Sequence, residues 1–289
     1  MTTQQRAALV TGASTGIGAA CALYLVQRGW RVFAGVRKPA DAERLQAEAG
    51  DDLTPVFVDV TDREQITAMA QQVGMAVGAG GLHGLVNNAG VAVAGPMEAV
   101  PLDDLRRQFE INFFGQVAVT QAVLPLLRTA RGRIVNMSSL SGRITPPFFG
   151  PYAASKHALE VFSNALRVEL APWGIKTIAI EPGSIITPIW EKGVSDNRRI
   201  LEGLPAEQLA LYGQYLAPML NATASFGRRG IPAERVAKVV YRALTTPFPR
   251  ARYLVGLDAQ VMARLNLITP PFIWDGVAAW VLRRMSQGH

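Results

Sequence analysis

Cysteine and histidine are scarce in this chain of 289 residues. It has one cysteine, Cys21, and three histidines, His83, His157 and His289, which are widely separated along the sequence. A single cysteine excludes an internal disulfide, and such scattered ligands exclude a Cys/His metal cage of the usual spacing. We therefore expect no bound metal, and any chemistry must use other side chains.

Long hydrophobic runs are also missing, although 49% of the residues are hydrophobic. No run approaches the roughly 20 apolar residues that cross a bilayer. The first residues, Met1 to Arg6, are polar and lead into Ala7–Val10, so we expect neither a signal peptide nor an N-terminal anchor. These features predict a soluble, cytoplasmic protein.

Net charge is absent from most of the chain, despite a formal total of +7. Residues 1–226 contain nineteen basic and nineteen acidic side chains, whereas residues 227–289 contain ten and three. A basic excess confined to one end argues against nucleic-acid binding by the main body. The tail combines arginines with Phe272, Trp274 and Trp280, a mixture that fits either a partly packed, solvated helix or a peripheral contact with an anionic membrane.

Short β-rich apolar runs alternate with helical stretches through the first 190 residues. This order is typical of βαβ units, in which helices cover a parallel sheet on both faces. We predict an α/β fold with a doubly wound parallel sheet and one domain over residues 1–256, with residues 184–230 as a helical substrate lid and residues 257–289 as a C-terminal extension. The predicted strands are Ala7–Val10, Arg31–Gly35, Thr54–Val58, Gly84–Val86, Arg133–Met137, Lys176–Ile180 and Tyr253–Val255.

A glycine-rich loop, Thr11–Gly18, follows the first predicted strand and opens a helix. Its glycines are Gly12, Gly16 and Gly18. Glycines permit a tight turn and allow backbone N–H groups to approach a pyrophosphate, whose charge the helix N-terminus favours. The alternative is a turn that needs glycine only for its backbone conformation. The spacing G-x-x-x-G-x-G is wider than the standard dinucleotide fingerprint G-x-G-x-x-G.

Further motifs follow in order: Asp59–Asp62, Asn87–Gly90, Asn112, Ser138–Ser139, Tyr152–Lys156 and Glu181–Gly183. With the glycine loop, they make the chain from Ala7 to about Val255 resemble the short-chain dehydrogenase/reductase family. The resemblance implies a Rossmann fold and an oxidoreductase that moves a hydride between NADP or NAD and an alcohol or ketone. It places Asp59 at the adenine, Asn87–Gly90 near the adenine ribose, and the segment from Pro182 to Thr187 at the nicotinamide. The predicted cofactor-binding residues are Gly12, Ser14, Thr15, Gly16, Ile17, Gly18, Arg37, Lys38, Asp59, Val60, Asn88, Ala89, Gly90, Tyr152, Lys156, Pro182, Gly183, Ile185 and Thr187.

Tyr152 and Lys156 are four residues apart in a stretch predicted to be helical, so their side chains point the same way. A phenol is a poor base at neutral pH unless nearby positive charge favours the phenolate, and Lys156 supplies that charge. The resemblance implies that Tyr152 exchanges a proton with the substrate oxygen and that Lys156 also binds the nicotinamide ribose. It assigns the hydrogen bond to the substrate oxygen to Ser139, preferred to Ser138 because its interval to the tyrosine is that of the family. Asn112 corresponds to the residue that holds a water beside the lysine, and an asparagine bonded only to backbone is the alternative.

An acidic residue that would select NAD is missing from the end of the second predicted strand. About 20 positions past the glycines, where such an acid binds the ribose hydroxyls, the chain has Val36 followed by Arg37 and Lys38. Arginine can hold a phosphate through paired hydrogen bonds, and Ser14 can add a hydroxyl. We therefore predict NADP as the preferred cofactor, with NAD as the alternative. The preference should be moderate, because Thr15 stands where many NADP-dependent relatives have a basic residue.

Apolar side chains cluster around the predicted catalytic residues and in the predicted lid. They favour a lipophilic alcohol or ketone over a sugar, although a second small core or an oligomer contact would use the same residues. Thr187–Trp190 and Val255–Ala259 resemble the subgroup of retinol and hydroxysteroid dehydrogenases. Family members are usually homodimers or homotetramers joined through the helices that would contain Asn112 and Tyr152 here. The apolar residues are Phe148, Phe149, Ile185, Ile186, Ile189, Trp190, Tyr212, Tyr215, Met219 and Phe226.

Two other classes of protein use a glycine loop after the first strand. A non-catalytic dinucleotide-binding regulator would have lost Tyr152 or Lys156, and both are present. A nucleotide-dependent methyltransferase would have no use for Ser139, Tyr152 and Lys156 in this register. The sequence therefore favours the oxidoreductase, with the regulator as the remaining alternative.

Overall fold

The computed structural model describes residues 5–286, except for the side chains at positions 196, 201, 226, 228, 229 and 286. The strands are β1 Ala7–Val10, β2 Arg31–Val36, β3 Leu53–Phe57, β4 Gly84–Asn87, β5 Arg133–Met137, β6 Lys176–Pro182, β7 Ile185–Ile186, β8 Ile231–Pro232 and β9 Arg252–Val255. Seven of them form one parallel sheet in the order β3-β2-β1-β4-β5-β6-β9, and β7 pairs with β8 in a second, two-stranded sheet.

Helices connect most successive strands of the large sheet. A π-helical turn, Glu110–Phe114, joins the fourth helix to the fifth. Within residues 5–286, every helix is too short or too polar to span a bilayer. The helices are α1 Gly16–Val26, α2 Pro39–Ala49, α3 Arg63–Val77, α4 Leu102–Phe109, α5 Gly115–Ala130, α6 Gly150–Glu169, α7 Ile189–Glu202, α8 Ala206–Arg229, α9 Ala233–Thr245, α10 Leu257–Ile268 and α11 Pro271–Ser286.

The large sheet has a buried core on each face. In β1, Ala8 and Val10 point into one core, whereas Ala7 and Leu9 point into the other, as the alternation of side chains along a strand requires. Residues of α1, α2 and α9 fill the first core, and residues of α3, α5 and α6 fill the second. The predicted doubly wound α/β fold is therefore confirmed.

The seven predicted strands are all present, and each boundary lies within two residues of the prediction. The strand predicted at Thr54–Val58 is shifted by one residue, to Leu53–Phe57. It contains Pro55, which has no backbone N–H, and it lies at the edge of the sheet, where a proline is tolerated.

Residues 184–230, the predicted lid, fold mainly into α7 and α8. The two ends of this segment are held together, because Ile231 N donates a hydrogen bond to Ser184 O at 3.0 Å and β7 pairs with β8. The predicted extension contains α10 and α11, which are separated at Thr269 and Pro270. The side chain of Phe226, one of the predicted apolar residues, lies outside the described part of the chain.

The strand order determines where a ligand can bind. From β1 the chain proceeds first to β2 and β3 on one side, and then to β4 on the other. In open α/β sheets, a crevice forms beyond the carboxyl ends of the strands at such a switch point. The residues that follow β1 and β4 here are Thr11 and Asn88, at the start of two of the predicted motifs.

Candidate active site

The glycine loop, residues 11–18, leaves β1 and becomes the first turn of α1. Gly16 has a φ of +58°, which residues with side chains rarely adopt, and a Cβ there would lie 3.1 Å from the Thr187 side chain. A Cβ at Gly18 would overlap the Gly12 carbonyl and the Asn88 side chain, so this glycine allows α1 to pack against the loop. Thr15, the N-cap residue, makes no side-chain cap, so the first backbone N–H groups of α1 suit a phosphate.

A cleft of about 360 Å³ opens over this loop at the switch point. Residues after β1, β2, β3 and β4 form its floor, and α7 contributes to one wall. The cleft is lined by small residues such as Gly12 and Gly16 and by backbone N–H groups of the glycine loop. Larger side chains would fill this space, so the lining fits a nicotinamide dinucleotide. The predicted cofactor residues in the lining are Gly12, Ser14, Thr15, Gly16, Ile17, Arg37, Asp59, Val60, Asn88, Ala89, Gly90 and Thr187.

The other predicted cofactor residues lie outside this lining for different reasons. Gly18 faces the loop itself, and Ile185 is only 2% exposed in the core. Lys38 is the exposed N-cap residue of α2. Pro182 ends β6 and Gly183 follows it, whereas Tyr152 and Lys156 lie on α6, farther along the row of strand ends.

Thr11 and Asn88 connect the two loops that flank the cleft. Thr11 Oγ1 accepts hydrogen bonds from the backbone N–H groups of Asn88 at 3.0 Å and Ala89 at 3.2 Å. Asn88 Nδ2 donates to the carbonyls of Thr11 and Gly12, both at 3.1 Å. Asn87 is buried and bonds instead to Thr120 and Asn136, so it holds the sheet end rather than facing the cleft.

At the end of β2, where the adenosine ribose would lie, one basic side chain, Arg37, lines the cleft. Val36, at the position of the missing acid, is 2% exposed. Arg37 lies 3.4 Å from the Asp59 carboxylate. Partial burial alone would raise the pKa of Asp59, but hydrogen bonds from Thr61 and Arg37 lower it below its usual range. Arg44 of α2, which the sequence did not single out, donates to Ser14 O at 2.5 Å.

Three of the four predicted catalytic side chains, those of Ser139, Tyr152 and Lys156, lie between β5 and α6. Tyr152 and Lys156 are 6% and 4% exposed. Lys156 Nζ donates to the Met137 carbonyl at 2.8 Å and lies 5.7 Å from the centre of the Tyr152 ring. The Ser139 side chain hydrogen-bonds the Tyr152 phenol. A carbonyl oxygen placed beside Ser139 and Tyr152 would have two hydroxyl groups within reach.

Burial shifts both titratable groups toward their neutral forms. It raises the pKa of Tyr152 to about 12, partly offset by the hydrogen bond with Ser139. It lowers the pKa of Lys156 to about 8, partly opposed by the negative charge of Glu160. At neutral pH the phenol therefore carries its proton and can donate it, and added positive charge is needed before it can accept one.

The structure distinguishes the two adjacent serines. Ser139 is half-buried, and its Oγ accepts a hydrogen bond from Ser141 N at 3.1 Å while it contacts the Tyr152 phenol. Ser138 is 3% exposed, and its Oγ has no partner among the described residues. This geometry supports the predicted preference for Ser139.

Asn112 lies in the π-helical turn between α4 and α5 and is fully buried. Its Oδ1 accepts from Val91 N at 2.8 Å, and its Nδ2 donates to Val91 O at 2.9 Å and to Ser155 Oγ at 3.0 Å. A Cβ added to Gly90 would lie 3.3 Å from Asn112 Oδ1 and 3.8 Å from Lys156 Nζ. Asn112 therefore fixes the Gly90–Val91 segment beside the lysine, and its bonds go to that loop and to α6 rather than to its own helix.

Phe148 forms an aromatic contact between the catalytic helix and α8. It has a φ of +67°, rare for a residue with a side chain, and its carbonyl accepts from Gly95 N at 2.8 Å. Its ring centre lies 5.6 Å from that of Tyr215 and 6.5 Å from that of Tyr212. Met219 of α8, by contrast, is only 2% exposed. It therefore packs within residues 184–230, which agrees with the alternative that some of these apolar residues form a second small core.

Asp258 links the C-terminal extension to the loop after β6. Its Oδ2 accepts a hydrogen bond from Ser184 N at 2.7 Å, and a Cβ at Gly183 or Gly256 would overlap its carboxylate. The sequence pattern at 255–259 indicated a subgroup but no role for this residue. Seventy-four positions separate the bonded pair, so only the fold reveals the contact.

Comparison with known proteins defines the class of this protein. A family model described as short chain dehydrogenase matches residues 6–198. The chain therefore belongs to the short-chain dehydrogenase family and is an NAD(P)-dependent oxidoreductase that acts on CH–OH groups. The predicted family, enzyme class and nicotinamide cofactor are confirmed, which favours the enzyme over the non-catalytic regulator.

Particular relatives cover nearly the whole chain. It is 38% identical over 284 residues to retinol dehydrogenase 5 of Mus musculus, covering 96% of this chain and 89% of that protein. It is 35% identical over 287 residues to the NADPH-dependent 3-dehydrocapnine reductase of Ornithobacterium rhinotracheale, covering 98% and 99%. A solved short chain dehydrogenase from Burkholderia cenocepacia J2315 in complex with NADP has a TM-score of 0.71 and 26% identity, covering 92% of this chain and 94% of that one.

Proposed function

We propose that this oxidoreductase interconverts a lipophilic alcohol and the corresponding carbonyl compound, and that it prefers NADP(H). The observation that carries the proposal is the position of the Ser139–Tyr152 hydrogen bond. Ser139 precedes α6, and Tyr152 lies in the first turn of α6. Phe148, which contacts Tyr212 and Tyr215, stands just before this helix. A hydroxyl pair that binds oxygen beside an aromatic wall suits an apolar substrate with one polar group.

The proposed roles follow from the geometry. When bound in the cleft, NADP(H) supplies the hydride donor or acceptor. Ser139 hydrogen-bonds the substrate oxygen and stabilises it as its charge changes. Tyr152 donates its proton to that oxygen during reduction and takes it back during oxidation. Lys156 binds the ribose next to the nicotinamide, and its charge lowers the pKa of the phenol when Tyr152 must accept a proton. Asn112 keeps the Gly90–Val91 segment next to Lys156, and it would hold a water beside the lysine that connects the site to solvent.

The proposed preference for NADP(H) rests on the basic end of the cleft. Val36 offers no carboxylate to repel a 2′-phosphate, and Arg37 lines the cleft. Arg44, through its bond to Ser14 O, lies at the same end. One relative is named NADPH-dependent and a solved relative holds NADP, which agrees with this proposal. Lys38, exposed at the start of α2, would serve only as additional positive charge.

The proposed assembly is a homodimer or homotetramer joined through α5 and α6. Exposed apolar side chains on or beside these helices support it: Phe114, Val161 and Val168 are 52%, 68% and 66% exposed. Burying such side chains between copies would remove them from water. A cytoplasmic location stays a prediction.

A substrate panel with a matched variant tests the proposal. Steroid, retinoid, long aliphatic and sugar alcohols and ketones are incubated with the protein, and the absorbance of the reduced nicotinamide is followed. We expect the lipophilic compounds to react with the highest kcat/KM. Phe148→Ala should lower kcat/KM for polycyclic or long-chain substrates more than for short ones, whereas Phe248→Ala, a change at a 90% exposed position, should leave the ranking unchanged. Fastest turnover of a sugar would refute the proposed substrate class.

A further inference from the structure

Four charged side chains form a partly buried ionic cluster that includes Glu160 of the catalytic helix α6. Glu181, at the end of β6, is completely buried and receives two hydrogen bonds from Arg143, through Nε and through Nη2, the latter at 2.9 Å. Arg252 of β9 lies 3.3 Å from Glu181 and donates to Glu160 of α6 at 2.9 Å. Two half-buried arginines thus balance two buried carboxylates.

A buried ion pair of this type contributes little net stability. Taking the charges out of water costs about as much free energy as their attraction returns, and an apolar pair of similar volume often stabilises a fold as well. Arginine and a carboxylate joined by two parallel bonds do, however, fix each other's direction as well as their distance. The geometry of the cluster therefore points to positioning rather than to stability.

The paired residues belong to two different parts of the active site. Arg143 ends what we call the serine turn, residues 139–143, whose backbone closes through Gly142 N to Ser139 O at 2.8 Å. Glu181 directly precedes what we call the nicotinamide loop, residues 182–187, which ends at Thr187 of the cofactor cleft. The serine turn is tightly packed at Gly142. A Cβ there would lie 2.8 Å from Ser138 Oγ and 3.1 Å from Glu160 Cγ.

We propose that Arg143 and Glu181 are positioning residues that hold the serine turn and the nicotinamide loop at a fixed separation. They thereby set the distance between the substrate oxygen on Ser139 and the ring that exchanges the hydride. The inference rests on the proposed roles of Ser139 and of the segment from Pro182 to Thr187.

Arg252 and Glu160 extend the same arrangement to the catalytic helix. Glu160 lies one helical turn beyond Lys156 and is 7% exposed, and Arg252 contacts both Glu160 and Glu181. The serine turn, the nicotinamide loop and the helix that bears Tyr152 and Lys156 are therefore connected through one set of ion pairs. A displacement of any one of them would change the reacting geometry, to which hydride transfer is sensitive.

The experiment compares Arg143→Met, Arg143→Lys and Glu181→Gln with the parent by three measurements. Turnover reports the reacting geometry. Affinity for 2′-phospho-ADP-ribose, which lacks only the nicotinamide, reports whether the fold and the adenosine end are intact. The emission of bound NADPH reports the surroundings of the ring and needs no substrate. Arg133→Met is the matched control, because Arg133 is also a partly buried arginine but bonds to Ala243 O at the opposite end of the sheet.

We expect kcat to fall about 100-fold in Arg143→Met and Glu181→Gln. The emission of bound NADPH should move toward that of free NADPH, while affinity for 2′-phospho-ADP-ribose stays within about twofold. Arg143→Lys keeps the charge but loses the two parallel bonds, so it should resemble Arg143→Met rather than the parent. Arg133→Met should match the parent in all three measurements.

Two results would overturn the inference. One is a parallel loss of turnover and of 2′-phospho-ADP-ribose affinity, which would mean that the pair only supports the fold. The other is a set of Arg143 and Glu181 variants with parental turnover and emission. Failure of the proposed function looks different, because a parent that turns over no lipophilic alcohol or ketone would still give the emission change in the variants if the positioning role is correct.

Discussion

The ammonium of Lys156 lies 5.7 Å from the centre of the Tyr152 ring and donates its hydrogen bond to the carbonyl of Met137. The phenol has its own hydrogen-bond contact with Ser139, which lowers its pKa. The ammonium therefore meets the tyrosine as a cation over its ring. Burial raises the pKa of Tyr152 to about 12, and the hydrogen bond with Ser139 offsets only part of that rise.

Replacing Tyr152 with phenylalanine removes only the phenolic oxygen. If this oxygen carries the proton, kcat should fall by about 100- to 10,000-fold while the affinity for NADP+ stays near that of the parent. Steady-state kinetics and calorimetric titration measure the two quantities. Tyr253→Phe is the control. It removes a phenol on β9 that accepts a hydrogen bond from Arg250 N, and it should keep parental turnover. A turnover of Tyr152→Phe within a few-fold of the parent would contradict the assignment.

Lys156 should make the stability of the cofactor-free protein depend on pH. Burial lowers its pKa to about 8, so between pH 8 and the ordinary lysine range the unfolded chain binds a proton that the folded chain does not. Unfolding free energy therefore rises with pH across this window, and the full cost of charging the buried amine, about 3 kcal/mol, is present below pH 8. Lys156→Met removes this cost.

Urea unfolding at pH 7 and pH 10 measures the effect. The free energy of unfolding of Lys156→Met minus that of the parent should be more positive at pH 7 than at pH 10. A difference that grows toward pH 10 would show that the lysine is not charged at a cost in the folded protein. The same variant should also bind NADP+ more weakly, because its proposed ribose contact is lost.

The sheet and the helix face that carries Tyr152 and Lys156 could be predicted from the sequence, because each depends on a pattern within a short stretch of residues. Apolar runs of strand length such as Arg133–Met137 predicted the sheet, and the four-residue interval from Tyr152 to Lys156 predicted two side chains on one helix face. The resemblance to the family favoured Ser139 over Ser138 through its interval to Tyr152, and Ser139 is the serine that contacts the phenol. These features need no knowledge of which distant segments meet.

Contacts between distant segments could not be predicted in the same way. Arg44 reaches Ser14 across 30 positions, and Asp258 reaches Ser184 across 74. No periodicity or motif marks such pairs, since each depends on how a helix end packs against a loop. Lys38 is the exposed N-cap residue of α2 outside the cleft lining, so its predicted contact with the cofactor stays a prediction.

Cofactor preference should change when the end of β2 is altered. Val36→Asp combined with Arg37→Ala introduces a carboxylate that can bind ribose hydroxyls and repel a 2′-phosphate, and it removes the arginine that lines the cleft. We expect the preference to shift from NADP(H) toward NAD(H), mainly through KM for the cofactor. Calorimetric titration with both cofactors measures it, with Arg63→Ala, an exposed arginine of α3, as the control for lost charge. A parent that binds NAD(H) more tightly would show that Arg37 meets no phosphate.

Arg44 allows an independent test of the same end of the cleft. Its guanidinium contacts Ser14 O and also pairs with Glu48 at 3.0 Å. If Arg44 contributes to phosphate binding, Arg44→Ala should weaken NADP(H) binding about tenfold while affecting NAD(H) much less. Glu48→Ala serves as the control, because it removes the partner of the arginine without removing the arginine. An equal loss for both cofactors in Arg44→Ala would mean that the arginine only shapes the glycine loop.

The C-terminal extension should influence which substrates are accepted. Helix α11 packs against α8, and α8 carries the two tyrosines that contact Phe148. Deleting the residues after Pro270 should therefore raise KM for long-chain or polycyclic substrates more than for short ones, because α8 loses a supporting surface while the cofactor cleft is untouched. NADP+ affinity provides the check that the truncated chain is folded. An unchanged substrate ranking in a folded, truncated protein would mean that the extension does not shape the substrate site.

The exposed face of the same extension leads to the last prediction. Phe272 and Trp280 of α11 are 72% and 54% exposed, and Arg283 and Arg284 lie at its end. An apolar face beside arginines is suited to an anionic lipid surface, the alternative to a solvated helix. If it serves in that way, the full chain should co-sediment with vesicles that contain anionic lipid at low salt and be released at high salt, whereas the chain truncated after Pro270 should stay in solution. Equal sedimentation of both chains would exclude α11 as the membrane contact. Attraction between arginines and anionic lipid is strongest at low salt. If the full chain does not sediment at low salt, α11 is therefore a solvated helix.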